Sequence, residues 1–213
     1  MKSIKNQSST QCPNHCERFE VDYWSLISAD QDPDLKSAAL GGELNLVQCP
    51  ECGAFFHHDG DLIYFDAPAE LLVFVFSQKD RKKEPELLKR MQHDYEIIKN
   101  TLLKQLQMDY PPVSVFGLDA LKAVLQEEEV NSFESEAVAA SAATQGFGVV
   151  RLKPSYAREH HFPYYVPAMP GGASANDYAV AASKVLKSGL KSKLLRNFVD
   201  HMSQEGAQPP LTL

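Results

Sequence analysis

All four cysteines of the 213-residue chain fall into two short pairs, Cys12 with Cys16 and Cys49 with Cys52. Zinc in structural sites takes four soft ligands in a tetrahedron, commonly thiolates from two such pairs that are distant in the chain. The sequence therefore predicts a four-ligand Zn²⁺ site. Because the protein fills all four positions, the predicted role of the zinc is structural.

The second pair has the more regular spacing. Cys49 and Cys52 are separated by two residues, Pro50 sets φ near the value that a tight turn needs, and Gly53 permits φ > 0 as the chain leaves the turn. In the first pair, His15 occupies the position that a two-residue spacing would use. Two ligand sets are therefore open, of which the first is preferred: Cys12, Cys16, Cys49 and Cys52, or Cys12, His15, Cys49 and Cys52.

Other uses of the cysteines fit the sequence less well. Two disulfides require an oxidising compartment, and residues 1–6 lack the apolar segment of a secretory signal. A redox Cys-x-x-Cys motif usually accompanies a βαβ pattern, whereas Cys49 and Cys52 lie between strand-like runs. No apolar run reaches the ~18 residues of a membrane span. We therefore expect a cytoplasmic metal-binding protein that has no membrane partner.

The net charge of −7 is unevenly distributed along the chain. Residues 151–213 carry eight Lys/Arg and four Asp/Glu, a net charge of +4, whereas residues 1–150 carry thirteen and twenty-four, a net charge of −11. An acidic body argues against non-specific DNA binding, because phosphate affinity comes mostly from clustered cations. The exception is a set of basic residues in the expected C-terminal helix: Lys184, Lys187, Lys191, Lys193 and Arg196.

Alternating apolar and polar residues predict strands over 19–26 and 43–48, and a hairpin with arms at 62–65 and 71–76. The second arm is apolar on both faces, which favours a central strand or one covered by a helix. A further short strand is expected at 113–116. Between the first two strands, residues 34–40 predict a short helix that ends at Gly41 and Gly42.

Apolar residues spaced three and four apart predict a helix from Glu86 to about Leu106. A second helix is expected to open at Gly117, with residues 127–129 as its solvated C-terminal end. Residues 135–148 are rich in Ala, Ser and Gly and predict a short helix or a linker. Irregular, aromatic-rich backbone is expected next, and Asn176 and Asp177 are expected to cap a last helix through about Met202.

Several motifs together resemble the CpXC family, a bacterial and archaeal domain of unassigned function. They are the two Cys-Pro knuckles, the stretches 32–36 and 42–45, the hairpin, and the run 115–118 with the helix after it. The resemblance covers roughly residues 10–130. It implies that Cys12, Cys49 and Cys52 match cysteines of two Cys-Pro-x-Cys motifs, and that Cys16 matches with a one-residue insertion. It supports the metal site and adds no reaction.

The predicted fold class is α+β: a zinc ribbon joined to a small antiparallel sheet packed by helices, with a helical C-terminal extension. We expect a disordered N-terminus over residues 1–9 and a CpXC-like zinc-ribbon domain over residues 10–135. An Ala/Pro-rich extension over residues 136–213 is expected to end in an amphipathic helix.

No catalytic residue can be assigned from the sequence, and an enzyme is unsupported. His57 and His58 precede Asp59, but adjacent histidines on a strand point to opposite faces, so we expect surface residues. The run Glu159-His160-His161 lacks the His-Glu-x-x-His spacing of a helical zinc site. The sequence predicts a protein-interaction module with a structural zinc. The alternative is a nucleic-acid-binding regulator that uses the basic C-terminal helix.

Overall fold

The computed structural model describes residues 2–103, 110–172, 174–204, 207–208 and 210, with the side chains of residues 102 and 103 excepted. These residues contain nine strands and six α-helices, which confirms the α+β class. The chain divides into two compact units, 1–126 and 127–213. None of the helices in the described part of the chain has the length and apolarity that a membrane crossing needs.

The strands are β1 (Ile4–Thr10), β2 (Phe19–Ser28), β3 (Leu46–Gln48), β4 (Phe55–His57), β5 (Leu62–Asp66), β6 (Leu71–Phe76), β7 (Val113–Phe116), β8 (Gly148–Arg151) and β9 (Tyr165–Ala168). The α-helices are α1 (Pro33–Gly41), α2 (Glu84–Ile98), α3 (Leu118–Thr144), α4 (Pro154–His160), α5 (Ala175–Lys187) and α6 (Lys193–Met202). A 3₁₀ helix (Gln78–Lys83) precedes α2, and a π-helix (Lys99–Leu103) follows it.

The first unit is built on a five-stranded sheet with the order β1-β2-β5-β6-β7. The sheet is mixed, and the prediction of an antiparallel sheet was wrong in this respect. The pairs β1–β2 and β5–β6 are antiparallel, whereas β2–β5 and β6–β7 are parallel. Parallel neighbours need a long crossover. The chain supplies one through α1 and the β3–β4 hairpin, and another through α2.

The central position of β6 is confirmed, because all six of its residues are buried. Leu71, Val73 and Val75 contribute to a core on one face, where residues of α1 and α3 join them. Leu72, Phe74 and Phe76 contribute to a second core on the other face, which contains Leu87 and Tyr95 of α2. Since side chains alternate across a strand, one apolar run supplies both cores.

The N-terminal residues differ from expectation. Ile4–Thr10 form β1, whose seven residues pair with β2, where the sequence analysis expects disorder. The segment is polar and carries no apolar alternation, so only the backbone pairing with β2 reveals it. Side chains add to this pairing: Lys5 lies 4.7 Å from the ring centroid of Trp24, and the amide of Ser28 donates to the Ser3 hydroxyl.

Two helices depart from their predicted bounds. The helix expected to end near residue 129 continues to Thr144 as α3, so Glu128 lies mid-helix and not at a solvated end. Its carboxylate accepts from Arg158 at 2.6 Å and from the Tyr164 hydroxyl at 2.6 Å. The helix predicted from Glu86 ends as α-helix at Ile98, and Leu106 lies outside the described residues.

The second unit has its own apolar core, formed by fifteen buried residues from α3, α4, β9, α5, α6 and the loops between them. The predicted last helix is in fact two, α5 and α6, because Gly189 adopts φ +106° between them. The cap of α5 is Ser174, which forms a capping box with Asp177, and not Asn176. The aromatic segment expected to be irregular contains α4 and β9.

Candidate metal centre

The second cysteine pair occupies the turn of the β3–β4 hairpin. Cys49 directly follows β3, and its amide donates to the carbonyl of Ala54 at 2.8 Å. The amide of Gly53 donates to the carbonyl of Cys49 at 2.9 Å. Gly53 adopts φ +72°, the left-handed conformation expected of this glycine. The turn therefore holds Cys49 and Cys52 on one side of a short loop.

The first pair lies in the connection between β1 and β2. The amide of His15 donates to the carbonyl of Cys12 at 3.0 Å, which closes a turn. His15 itself has φ +61°, in the left-handed region. The left-handed conformation of His15 therefore accommodates the extra residue of this knuckle. The two knuckles are joined by a hydrogen bond at 3.1 Å from the Glu17 amide to the Glu51 carboxylate.

The four cysteine sulfurs converge. All lie within 4.8 Å of one another, the sulfurs of Cys12 and Cys52 are 3.6 Å apart, and all four are free thiols. A tetrahedral thiolate site with metal–sulfur bonds of about 2.3 Å places its sulfurs about 3.8 Å apart. The donor set therefore fits a metal ion. His15, the alternative ligand, is not part of this group among the described residues.

Asn14 contacts the cysteine cluster, and the sequence analysis did not single it out. Its backbone amide donates to the Cys12 sulfur at 3.4 Å, and its side-chain amide donates to the Cys52 sulfur at 3.5 Å. One residue thus supplies donors to sulfurs from both knuckles. Hydrogen bonds of this kind stabilise thiolates and spread the negative charge of a four-sulfur site. Its place within the first knuckle was the available signal.

The thiols occupy unlike electrostatic environments. The backbone amide of Ala54, the Asn14 amide and Cys12 lower the pKa of Cys52 to about 6. In contrast, burial and the neighbouring thiols raise the pKa of Cys16 well above its ordinary value. Cys12 and Cys49 are buried, at 2% and 1% exposed, whereas Cys52 is exposed. The cluster is thus closed toward the protein and open on the Cys52 side.

The other histidine motifs do not join a metal group in the described residues. His57 is exposed, and its Nδ1 lies 3.1 Å from the carbonyl oxygen of Leu44. His58 is buried, which corrects the expectation of a surface histidine, and its ring packs on Tyr23. His160 belongs to an aromatic cluster with Tyr156, Phe162 and His201.

The basic C-terminal residues do not share one helix. Lys184 and Lys187 lie in α5, Lys193 and Arg196 lie in α6, and Lys191 lies in the turn between them. The single C-terminal helix in which the sequence analysis placed all five residues is therefore interrupted. Nucleic-acid binding stays a prediction.

The family model described as "CpXC protein" matches residues 10–132. The match covers more than half of the chain, contains all four cysteines, and confirms the resemblance given by the motifs. The chain therefore belongs to the CpXC family. No curated protein and no solved structure matches the chain.

Proposed function

We propose that this CpXC protein is a protein-interaction module whose docking hairpin is held in shape by a structural zinc ion. The observation that carries the proposal is the convergence of four free cysteine sulfurs from two distant segments to within 4.8 Å of one another. Its parts are a zinc ion bound by Cys12, Cys16, Cys49 and Cys52, and a partner surface on the β3–β4 hairpin.

The donor chemistry favours zinc over harder cations. Four thiolates suit zinc, whereas calcium and magnesium take oxygen ligands. The four protein ligands leave no open position for water or substrate, which is typical of a structural and not of a catalytic site.

The contacts of the β3–β4 hairpin give it little stability of its own. Each strand has three residues, and each has one half-buried residue between two exposed ones. An isolated two-stranded hairpin is marginally stable at best in water. The half-buried Phe56 packs edge-to-face on Phe19 with ring centroids 6.2 Å apart. A metal that joins Cys49 and Cys52 to the first knuckle would tie the hairpin to the β1–β2 connection.

The outer face of the same hairpin supports a docking role. Leu46 pairs with His57, and Gln48 pairs with Phe55, so these four side chains lie on one face. Phe55 is 66% exposed and Leu46 is 43% exposed. Aromatic side chains of this kind are enriched at protein–protein contacts and often anchor them. We therefore assign the docking surface to Leu46, Gln48, Phe55 and His57.

Native mass spectrometry of the purified full-length protein tests the metal part. We expect one zinc per chain, and a cobalt-substituted protein with the charge-transfer spectrum of four thiolate ligands. Cys16→Ser is expected to weaken metal binding and to reduce the sulfur-to-cobalt absorption. His15→Ala is the matched control and should retain both. Full metal binding by Cys16→Ser together with loss in His15→Ala would assign the site to the alternative ligand set.

Site-specific crosslinking tests the interaction part. A photoreactive phenylalanine analogue at position 55 should capture a protein in extracts, and the yield should fall when zinc is removed. Phe133 is the matched control, because it is similarly exposed, at 70%, on α3. The docking proposal fails if the two positions capture the same proteins, or if capture at position 55 does not depend on the metal.

A further inference from the structure

A polar cavity of about 400 Å³ adjoins the first knuckle in the first unit. Three consecutive hydroxyl residues of β1, Ser8, Ser9 and Thr10, line it together with Arg18 and Lys79. Sites for small molecules have volumes of roughly 300–1,000 Å³, so the cavity is large enough for a ligand. Its wall offers many hydrogen-bond donors and two cations.

Two hydrogen bonds hold the Arg18 side chain in place, and no ion pair within the described residues neutralises its charge. Its Nε donates to the Ser9 hydroxyl at 3.2 Å, and a terminal nitrogen donates to the Ser9 carbonyl at 3.1 Å. A guanidinium has five N–H donors, so further donors remain for a ligand. Within the described part of the chain no carboxylate pairs with Arg18. A fixed arginine fork matches the geometry of carboxylate and phosphate groups.

The carboxylate in the cavity wall is already engaged. Asp59 accepts from the Ser77 hydroxyl at 2.7 Å and from the Gln78 amide at 3.0 Å. The Lys79 ammonium lies 3.9 Å from the same carboxylate. Since Asp59 is satisfied at the start of the 3₁₀ helix, its charge does not neutralise Arg18. Among the side chains that line the cavity, Arg18 is therefore the cation without an ion-pair partner in the described residues.

His58 adds a polar group to the same wall. The residue is 6% exposed, its ring lies 4.4 Å from that of Tyr23 by centroids, and its buried Nδ1 has no hydrogen-bond partner among the residues that the structure describes. Burial lowers the pKa of His58, against the attraction of the nearby Asp59. A neutral imidazole carries one proton. We place it on Nε2, because Nδ1 has no acceptor.

Gly60 keeps the space beside Nε2 open. A Cβ at this position would lie 2.9 Å from His58 Nε2 and 3.1 Å from the Tyr23 ring. Gly60 is not among the glycines with positive φ, so its backbone conformation is open to other residues. The glycine is therefore explained by the space it leaves and not by the turn it makes.

We propose that this cavity binds a small ligand carrying an oxyanion group, a phosphate or a carboxylate, which is held by the Arg18 guanidinium, the hydroxyls of Ser8 and Thr10, and His58 Nε2–H. Three features support it: an arginine held in place with no carboxylate partner in the described residues, a histidine of the cavity wall whose Nε2 lies beside Gly60, and a glycine that leaves space there. The site is independent of the docking surface on the β3–β4 hairpin, and it can stand if that surface fails.

The test is a titration of the isotope-labelled full-length protein, followed by amide chemical shifts in ¹H–¹⁵N spectra. Inorganic phosphate and acetate are added separately at constant pH, with chloride balancing the ionic strength. We expect saturable shifts for one or both anions at residues 8–11, 18 and 58–60. The anion with the lower dissociation constant then identifies the source of the oxyanion group.

Two variants and one control make the result decisive. Arg18→Gln should weaken binding about tenfold or more, since it removes charge-assisted hydrogen bonds. Gly60→Ala should abolish it, because the added Cβ displaces the His58 ring. Arg196→Gln removes an exposed arginine in α6 and should leave the dissociation constant unchanged. Spectra that superpose elsewhere establish that each variant is folded. The proposal is overturned if neither anion saturates, if shifts scatter over surface lysines, or if Arg18→Gln binds like the unaltered protein.

Discussion

The molecule contains two small antiparallel sheets, β3–β4 and β8–β9, with three and four residue pairs. In the β8–β9 sheet, Val166 is fully buried and Ala168 nearly so, and both belong to the fifteen-residue core of the second unit. The β3–β4 sheet has no buried residue, and its two half-buried residues are Val47 and Phe56. The two sheets are both antiparallel and nearly equal in size, but they differ in how many of their residues are buried.

Under the proposed function, this difference assigns a role to the cysteines. Burial of apolar surface contributes roughly 25 cal/mol per Å², and the β8–β9 sheet obtains its stability from this source. The β3–β4 sheet buries too little to offset the entropy of ordering its residues. It has two cysteines in its turn instead. We therefore expect β3–β4 to depend on the metal and β8–β9 to be indifferent to it.

We expect the substitution Cys49→Ser to have the largest effect, and to affect the β3–β4 sheet without affecting β8–β9. Metal binding and folding are coupled in small zinc sites, with apparent energies on the order of 10 kcal/mol. We expect the variant to lose zinc and the β3–β4 amides to lose protection from hydrogen exchange, while β8–β9 remains protected. Glu20→Gln, at an exposed position of β2, is the control. If the β3–β4 amides stay protected without metal, the hairpin is stabilised by other contacts.

Phe198→Ala is the reciprocal change in the second unit. Phe198 is fully buried in α6 and packs edge-to-face on Phe162, with ring centroids 5.2 Å apart. Truncating a buried phenylalanine costs about 3–5 kcal/mol. Denaturant unfolding should show a loss of this size, and native mass spectrometry should show full zinc content. Val180→Ala, at an exposed position of α5, should cost little.

Zinc loss in Phe198→Ala would show that the two regions are coupled, and the comparison would then no longer hold. Retention of zinc with the expected loss of stability would sharpen it.

The sequence predicted the parts of this fold that are encoded locally. The spacing of the cysteines, the glycine after Cys52 and the apolar run of β6 each carry their structural meaning in a few neighbouring residues. The four sulfurs converge, Gly53 adopts φ +72°, and β6 is buried on both faces, while the bound metal stays a prediction. The α1 helix and the β5–β6 hairpin also follow from local turn residues and apolar alternation.

The features that were missed depend on partners distant in the chain. β1 is polar, and its conformation follows from pairing with β2 and not from its own residues. The parallel direction of β7 is set by the crossover before it. For residues 135–148 a short helix or a linker was expected, and residues 135–144 are helical, but only the fold shows that they continue α3 and bring Val138 and Ala142 into the core of the second unit. The position of Asn14 in the first knuckle is visible in the sequence, but its contact with Cys52 of the second knuckle depends on the fold.

In the metal-free protein, the four thiols should differ in reactivity. The pKa of Cys52, lowered to about 6 by the Ala54 amide first and by Asn14 and Cys12 next, makes it a thiolate at neutral pH. We expect iodoacetamide to modify Cys52 first, and Cys16, whose pKa is raised by burial, to react slowly. Peptide mass mapping identifies the modified residue. Zinc should protect all four, and early modification of the buried Cys12 or Cys49 would contradict the arrangement.

The pH dependence of this reactivity has a definite sign. The folded pKa of Cys52 lies below that of an unfolded thiol, so its ionisation stabilises the folded state above the unfolded value. That contribution is lost as the pH falls through about 6. The rate of modification should fall over the same range, because the thiolate is the nucleophile. Asn14→Ala should move the midpoint upward, since it removes one of the donors to this sulfur.

The smallest effect is expected from Ser174→Ala, which removes a local contact in the second unit. The Ser174 hydroxyl accepts from the Asp177 amide at 3.2 Å, and the Asp177 carboxylate accepts in return from the Ser174 amide at 3.1 Å. Loss of a serine N-cap costs about 1 kcal/mol. Denaturant unfolding measures this loss, with Ser203→Ala at the end of α6 as the control. Because α5 contributes Tyr178, Ala182 and Val185 to the core beneath β9, the destabilisation should extend to the β8–β9 amides and leave the β3–β4 amides unchanged. A change in β3–β4 alone would contradict the expectation that the proposed metal stabilises β3–β4 and that the apolar core stabilises β8–β9.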